Sequence, residues 1–305
     1  KLIEESPSPH IPRDIRDKMQ AAAINFAKKI GYKGVGTWEF IVDLDEKDTQ
    51  GNPKWYFMEA NPRIQVEHPV TEEQTGIGII ELMIDIEEGK RLSFSQNQIK
   101  PKGHTIEARV YAEDPNRNFE EASGSLRIFR LPKDIDGVRT DCGYEEGDEV
   151  SPWFDKTLVK LISHADNREE ARSKLVRALS RMEIVGVSTN QHFLTELLNT
   201  REFREASATT AFVEKWWNKR SKERIHGVSE YINGGIFIPY EPSYVLDPAM
   251  LPQNISVPSR KSGENISYDV YLEQQKAKTG KESAAQFGIV ERNGMHHVLY
   301  YLDYN

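Results

Sequence analysis

The sequence of 305 residues is short of cysteine, of positive charge and of long apolar runs. Cys142 is the only cysteine, which excludes a disulfide within the chain and indicates a reducing compartment: the cytoplasm or, in a eukaryote, the mitochondrial matrix. The net charge of −8 argues against general nucleic-acid binding, which needs a basic face. No apolar run reaches the length of a membrane span. We therefore expect neither a nucleic acid nor a membrane as a partner.

What remains is typical of a soluble globular protein, with 38% hydrophobic and 29% charged residues. The length suggests two or three domains. A polar stretch at residues 93–102 and a basic one at residues 219–224 predict links between them. We therefore expect domains at residues 1–95, 96–218 and 219–305, with an α+β fold.

The first domain carries both helical and strand patterns. Apolar residues at helical spacing predict a helix that starts near Pro12 and ends at Gly31, and another that ends at Gly89 and is capped by Thr71 or Thr75. Residues 34–42 and the aromatic run from Trp55 predict two strands of a hairpin.

The second domain alternates strands and helices. Its predicted strands are residues 104–115, 124–130, 137–141 and 155–163. Three helices are predicted in this domain. The first is capped by Asn167 and the second by Ser188 or Thr189. The third spans residues 210–217, where Trp216 and Trp217 look exposed. In the third domain, strands are predicted at residues 234–240, 266–272 and 287–290, with a hairpin turn at Asn293-Gly294.

Residues 55–71 form the most unusual stretch in the chain. After the aromatic run, polar residues occupy every second position, namely Glu59, Asn61, Arg63, Gln65 and Glu67. If the backbone stays extended, these five side chains point the same way. The ordinary alternative is an edge strand with a mixed polar face. We interpret the stretch as an active-site row that holds a metal-bound anion and a proton acceptor.

Glu39 is the second unusual carboxylate, because it lies among apolar neighbours in a predicted strand. A buried lone carboxylate must be paired, protonated or metal-bound. In the predicted hairpin, Glu39 can face Glu59. Two carboxylates and the Asn61 amide oxygen are hard ligands suited to Mg²⁺ or Mn²⁺, with nucleotide phosphates completing the shell. The alternative is a solvated carboxylate pair.

Residues 59–72 closely resemble the signature of biotin carboxylase, the ATP-grasp component of biotin-dependent carboxylases. Residues 34–40, 103–115 and 137–139 reinforce the resemblance, which covers roughly residues 1–215. It implies the second half of an ATP-grasp domain, then the α+β C-terminal domain of biotin carboxylase, then a β-rich extension that could be barrel-like.

The resemblance also implies a reaction. ATP would phosphorylate bicarbonate to carboxyphosphate, with Mg²⁺ or Mn²⁺ as cofactor, and the resulting CO₂ would be trapped by biotin on a carrier domain. The implied partners are that biotin carrier domain, a carboxyltransferase component and further copies of the chain in a homo-oligomer.

Site residues are implied one by one. Those implied for metal and nucleotide are Glu39, Glu59 and Asn61, with Ile41 beside them in the ATP site. Those implied for bicarbonate are Lys1, Arg63, Gln65 and Val66, the last through its backbone N–H. Glu67 corresponds to the general base, and Arg139 to the residue that stabilises the biotin enolate.

The resemblance places the family's phosphate loop and ATP-binding lysines upstream of Lys1. We therefore expect a piece of a longer protein, inactive on its own. One alternative is another ATP-grasp ligase that makes an acyl phosphate from a carboxylate or bicarbonate, and another is a non-catalytic ATP-grasp scaffold. The final acyl acceptor stays open among acetyl-CoA, propionyl-CoA, another enoyl-CoA, pyruvate and urea.

Overall fold

The computed structural model describes residues 1–209, 211–223, 256–258, 265–267, 286–292 and 295–301. The chain forms two compact units, Lys1–Trp217 and Asn218–Asn305. In the described part of the chain, no helix combines the length and the apolar character needed to cross a membrane.

Seven helices are described. They are α1 (Arg13–Ile30), α2 (His68–Thr75), α3 (Ile79–Glu87), α4 (Arg168–Ser180), α5 (Gln191–Asn199), α6 (Arg201–Arg204) and α7 (Phe212–Glu223). Single 3₁₀ turns lie at Gln96–Gln98 and Pro115–Arg117.

The strands of the first unit are mostly short. They are β1 (Ile3–Ser6), β2 (Thr37–Lys47), β3 (Pro53–Asn61), β4 (His104–Tyr111), β5 (Glu113–Asp114), β6 (Glu120–Glu121), β7 (Gly124–Ser125), β8 (Ile128–Arg130), β9 (Val138–Cys142), β10 (Glu149–Val150), β11 (Thr157–Ala165) and β12 (Glu183–Val185). The second unit contributes β13 (Ser256–Pro258), β14 (Asn265–Ser267), β15 (Gln286–Arg292) and β16 (Met295–Tyr301).

The predicted helix from Pro12 to Gly31 is confirmed as α1. Pro12 precedes its first residue, where a missing backbone N–H does no harm. Gly31 adopts a left-handed conformation with φ of 65°, and its N–H bonds the C=O of Lys28. A residue without Cβ takes that conformation at least strain, so the glycine ends the helix.

The predicted hairpin is confirmed as the antiparallel pair β2 and β3. Glu39 lies directly opposite Glu59. The register then slips, because Phe40 pairs with Phe57 and leaves Met58 as an extra residue on β3. Such bulges redirect side chains and often occur next to functional sites.

A four-stranded antiparallel sheet in the order β1-β4-β11-β9 carries the second half of the first unit. One face is apolar and packs against α4 and α5, with a core that includes Ile106, Ala108, Val110, Val159 and Leu161. The opposite face lies beneath α2. We call it the charged face, and its residues are Glu4, Glu107, Arg109, Arg139, Asp141 and Lys160, with Ile162 among them.

Helix caps and aromatic burial differ in part from expectation. Asn167 caps α4 as predicted, since its side chain accepts from the Glu170 N–H at 3.0 Å. The cap predicted for α3 is wrong, because α3 begins after Gly78. The helix α5 begins after Asn190, one residue beyond Thr189, whose hydroxyl accepts from the Gln191 N–H at 3.4 Å. Trp217 was expected to be exposed and is buried.

The buried position of Trp217 has a clear cause. Its ring packs edge-on to Phe193 at 4.8 Å, and its indole N–H donates to the C=O of Pro115 at 2.9 Å. A buried indole is satisfied when its N–H finds an acceptor, so α7 closes over the core at this point.

In the second unit, β13 pairs with β14 and β15 with β16, each antiparallel. The second pair confirms the two strands predicted on either side of Asn293-Gly294, whereas these two turn residues lie outside the described residues. The predicted strand at residues 234–240 lies outside the described residues, as does most of the one at 266–272. The predicted link at residues 219–224 is wrong up to Glu223, where α7 continues.

Candidate active site

The acidic end of the site lies on the β2–β3 hairpin. The Asn61 amide donates to Glu39 Oε1 at 2.9 Å and to Glu59 Oε1 at 3.2 Å, and the Gln65 amide donates to Glu39 Oε1 at 3.0 Å. Two carboxylates from neighbouring strands therefore converge on one point. As oriented, the amide nitrogen of Asn61 faces them, and a half-turn of the amide would present its oxygen instead.

The donor set fits a divalent cation that also binds nucleotide phosphates. Among the described residues, no group of three or more His, Cys, Asp and Glu side chains is placed to hold a metal alone. Glu39 and Glu59 supply two hard oxygen ligands and leave room for ligands from a substrate, which is how Mg²⁺ is usually held at phosphate sites. Ile41, predicted beside the nucleotide, is exposed on β2.

The expectation of one continuous extended row is wrong. β3 ends at Asn61, and the Arg63 N–H then bonds the C=O of Asn61 at 2.8 Å. The chain turns, and Glu67 is the residue that precedes α2. Pro62 cannot donate a ladder hydrogen bond, and Pro69 suits the first turn of a helix, so both prolines favour this change of direction.

The residues predicted to bind the anion differ in solvent exposure because of this turn. Gln65 is buried, with its Oε1 lacking a hydrogen-bond partner among the described residues, whereas Arg63 and Val66 are exposed. Arg63 donates to the C=O of Ile64 at 3.1 Å. Lys1 is exposed, and its C=O accepts from the Tyr111 hydroxyl at 3.1 Å, which ties the start of the chain to β4.

Glu67 is joined to the charged face of the sheet. Arg109 Nη2 lies 2.8 Å from Glu67 Oε2 and also 2.8 Å from Glu4 Oε1. Arg109 is buried, whereas Glu67 is partly exposed. One guanidinium nitrogen therefore links the segment before α2 with strand β1, through a residue that the sequence reasoning did not single out.

Arg139 lies on the same face and has carboxylates on two sides. Its Nε and Nη2 donate to the two oxygens of Asp141 at 2.7 and 3.0 Å, and its Nη1 donates to Glu72 at 2.7 Å and Glu73 at 3.4 Å. These bonds, first the one to Asp141, raise the pKa of Arg139 above its ordinary value. The side chain is therefore a fixed, permanent cation.

Glu72 connects Arg139 to the start of α3. Its second oxygen accepts from the Ile79 N–H at 2.6 Å. Burial by itself raises the pKa of Glu72, but the hydrogen bonds from Arg139 and the Ile79 N–H outweigh it and bring the pKa below its ordinary value. Glu72 is thus an anion that holds Arg139 against α2.

Lys160 is a further link that the sequence reasoning missed. Its Nζ donates to the C=O of Val66 at 3.3 Å and lies 3.2 Å from Asp141 Oδ2. It therefore joins the turn before α2 to the strand that carries Arg139. A signal was present in the sequence, because Glu107, Arg109 and Lys160 interrupt otherwise apolar strands.

Two parts of the chain match known domain families. Residues 1–95 match the family described as "Carbamoyl-phosphate synthase L chain, ATP binding domain", and residues 107–215 match "Biotin carboxylase C-terminal domain".

Known relatives agree with these matches. The mitochondrial propionyl-CoA carboxylase alpha chain of Caenorhabditis elegans is 42% identical over 214 residues, which is 70% of this chain and 29% of that protein. The biotin carboxylase of Halalkalibacterium halodurans is 42% identical over 213 residues, or 70% of this chain and 45% of that protein. The chain thus spans less than half the length of these relatives.

Solved structures show the same likeness. The biotin carboxylase domain dimer of Hydrogenobacter thermophilus 2-oxoglutarate carboxylase, in complex with MgADP, ADP and bicarbonate, has a TM-score of 0.65 and 37% identity, covering 70% of this chain and 46% of that one. A biotin carboxylase subunit of pyruvate carboxylase has a TM-score of 0.67 and 35% identity, covering 74% and 48%.

Proposed function

Since the chain carries the ATP-binding and C-terminal domains of the biotin carboxylase family, we propose that the intact protein carboxylates carrier-bound biotin with bicarbonate, using ATP. The observation that carries the proposal is that the turn between β3 and α2 contacts both the hairpin with the acidic pair and the sheet that carries Arg139. The Gln65 amide in the turn bonds Glu39 of the β2–β3 hairpin, and Glu67 at the end of the turn contacts Arg109 of the four-stranded sheet. Arg139 of that sheet bonds Glu72 in α2, the helix that follows the turn.

The acidic pair would serve the nucleotide. Glu39 and Glu59, with Asn61 when its amide oxygen faces them, would hold Mg²⁺ or Mn²⁺, which neutralises phosphate charge during phosphoryl transfer. Ile41 lies two residues beyond Glu39 on β2 and would line the nucleotide site. The bound MgADP in the 2-oxoglutarate carboxylase domain supports this assignment.

The turn would serve bicarbonate. Arg63 is exposed and offers a planar fork of donors that matches a carbonate anion. Gln65, the Val66 N–H and Lys1 would complete the anion site. Glu67 would take the bicarbonate proton, because its carboxylate lies at the end of this turn and is partly exposed. The oxygen freed of its proton would then attack the γ-phosphate of ATP to give carboxyphosphate.

Arg139 would act in the second half-reaction. Carboxyphosphate would break down to CO₂ and inorganic phosphate, and the phosphate would accept the N1′ proton of biotin. Loss of that proton builds negative charge on the ureido oxygen, and N1′ then attacks CO₂. A fixed guanidinium stabilises developing oxyanion charge without reorganising first. Asp141 and Glu72 hold the Arg139 side chain in one place on the sheet.

We assign residues 1–95 to the ATP-grasp part, residues 96–218 to the biotin carboxylase C-terminal domain and residues 219–305 to a β-rich extension. The partners would be a biotin carrier domain and a carboxyltransferase component, in a homo-oligomer. The homologous alpha chains of acyl-CoA carboxylases and the dimer of the 2-oxoglutarate carboxylase domain support these assignments.

The proposal is tested on the intact protein by two rates, bicarbonate-dependent ATP cleavage and carboxylation of free biotin. Glu67→Gln is expected to lower both rates by about 10²–10⁴-fold, since a base is lost. Arg139→Ala is expected to lower biotin carboxylation by about 10²–10³-fold while sparing ATP cleavage. Arg130→Ala is the matched control, because Arg130 is an exposed arginine paired with Glu183 on the β8–β12 strands.

The alternatives give different results. Stimulation of ATP cleavage by an amine acceptor instead of biotin would indicate another ATP-grasp ligase. Absence of nucleotide-dependent turnover under all conditions would indicate a scaffold. Unchanged rates in Glu67→Gln and Arg139→Ala would overturn the residue roles.

A further inference from the structure

Arg109 is fixed in the sheet by hydrogen bonds to both of its backbone groups. It is buried in the middle of β4, and its backbone N–H bonds the C=O of Leu2 at 3.0 Å. Its C=O accepts from the side-chain amide of Asn190 at 3.2 Å, and Asn190 is fully buried. Both backbone groups of Arg109 are thus fixed by neighbouring elements.

The guanidinium end of Arg109 points towards carboxylates. Nη2 contacts Glu4 Oε1 and Glu67 Oε2, both at 2.8 Å, and Nε lies 3.9 Å from Glu107 Oε1. Glu67 comes from the turn after β3, whereas Glu4 and Glu107 belong to the sheet. Arg109 is therefore the direct link from the sheet to the side chain of Glu67.

We propose that Arg109 is a positioning residue that fixes the Glu67 carboxylate for proton abstraction from bicarbonate. The inference rests on the proposed function, in which Glu67 is the general base. Arg109 binds Oε2 of Glu67, and Oε1 is the oxygen that would receive the substrate proton.

The geometry calls for arginine rather than lysine at this position. A guanidinium is planar and always charged, and the two N–H groups of Nη2 diverge in that plane, so this one nitrogen can contact carboxylates on two elements while Nε faces a third. A lysine ammonium offers one compact charge on a flexible stem. With lysine, the Glu67 carboxylate would keep a cation nearby but lose its fixed direction.

The test uses the intact protein with Arg109→Lys and Arg109→Met. Because small displacements of a catalytic group can lower a rate by up to about 10²-fold, Arg109→Lys should lower kcat for bicarbonate-dependent ATP cleavage by about 10–100-fold and Arg109→Met by more. The KM for MgATP should stay within about twofold, since the acidic pair on β2 and β3 is untouched. Arg130→Lys, the same change in a distant ion pair, should leave both values unchanged.

A double-mutant cycle separates positioning from general structural damage. If Arg109 acts through Glu67, Arg109→Lys should lower the residual rate of a Glu67→Gln protein by less than about twofold, because the base it positions is already gone. Release of labelled phosphate is sensitive enough to follow these slow variants. An equal loss in both backgrounds, or a full rate in Arg109→Lys, would overturn the inference.

Failure of the proposed function has a separate signature. If Glu67→Gln alone retains the full rate, Glu67 is not the base, and the role of Arg109 falls with it. If Glu67→Gln is slow and Arg109→Lys is not, the proposed function stands and only the positioning role is lost.

Discussion

Glu107 offers a prediction that depends mainly on burial. Its side chain is 0% exposed, and neither carboxylate oxygen has a hydrogen-bond partner among the described residues. Burial raises its pKa to about 8, even though Lys160 and Arg109 lie near enough to oppose the shift, while Glu4 and Asp141 add to it. Glu107 is therefore mostly protonated at neutral pH.

The sign of the effect on stability follows from proton counts. Between pH 4.5 and about 8 the folded state keeps a proton on Glu107 that the unfolded state has lost, so the free energy of unfolding falls as the pH rises. Each pKa unit corresponds to about 1.4 kcal/mol. The loss reaches about 3 kcal/mol at pH 7 and about 5 kcal/mol above pH 8.

Glu107→Gln removes this loss, because glutamine has nearly the same shape and does not titrate. We expect the variant to exceed the parent protein in free energy of unfolding by up to about 3 kcal/mol at pH 7, with the difference fading towards pH 4.5. Urea denaturation at several pH values measures it. Hydrogen exchange measured on the peptide that covers β4 checks that the unfolding transition seen in urea includes this sheet.

The matched control is Glu113→Gln on β5. Glu113 is also buried, but its carboxylate lies 2.7 Å from Lys156 Nζ, so the amide replaces an ion pair and should lower stability. Infrared spectra give a second measurement, since the band of a protonated carboxyl group at pH 7 should disappear in Glu107→Gln. Equal pH slopes in the parent and Glu107→Gln proteins would refute the reasoning.

Two further predictions concern groups that hold the site in place. Glu72→Gln weakens the anchor of Arg139 and should lower carboxylation of free biotin about tenfold while sparing bicarbonate-dependent ATP cleavage; equal losses of both rates would contradict this. Asn190→Ala leaves the N–H of Tyr111 and the C=O of Arg109 without their side-chain partner. The free energy of unfolding measured by urea denaturation should therefore fall by about 2–4 kcal/mol, and a loss below about 1 kcal/mol would contradict this prediction.

Local signals predicted the parts of the fold that depend on neighbouring residues. The apolar spacing of α1 and the left-handed glycine after it both act within one helix, and the Asn167 cap of α4 acts over three residues. The pairing of Glu39 with Glu59 also followed from the sequence, because a hairpin fixes which residues lie opposite each other. The family resemblance is confirmed by the matching domains.

The shape of the turn after Asn61 was not predictable from spacing of polar residues. A period of two describes side-chain direction only while the backbone is extended. Pro62 and Pro69 were the local evidence that it is not, and they went unused. As a result, Glu67 was expected beside Arg63 on one face of a strand. It lies instead just before α2, where its carboxylate contacts Arg109 of β4.

The partners of Glu67 and Arg139 could not be predicted because they are distant in sequence. Arg109 lies 42 residues after Glu67, and Arg139 lies 67 residues after Glu72. Such pairs depend on the order of strands in the sheet, which no local pattern encodes. The charged residues that interrupt apolar strands did indicate that such partners exist, because buried charges need partners.

The cations of the charged face are in close contact with carboxylates other than that of Glu107. Arg109, Arg139 and Lys160 supply the cations of this face, and the carboxylates of Glu4, Glu67, Glu72 and Asp141 already contact them. Glu107 faces Arg109 Nε at 3.9 Å, and its raised pKa keeps it mostly protonated at neutral pH, so it adds little negative charge beside Arg109. It follows that Glu107→Gln, although it raises stability, should leave bicarbonate-dependent ATP cleavage unchanged at pH 7.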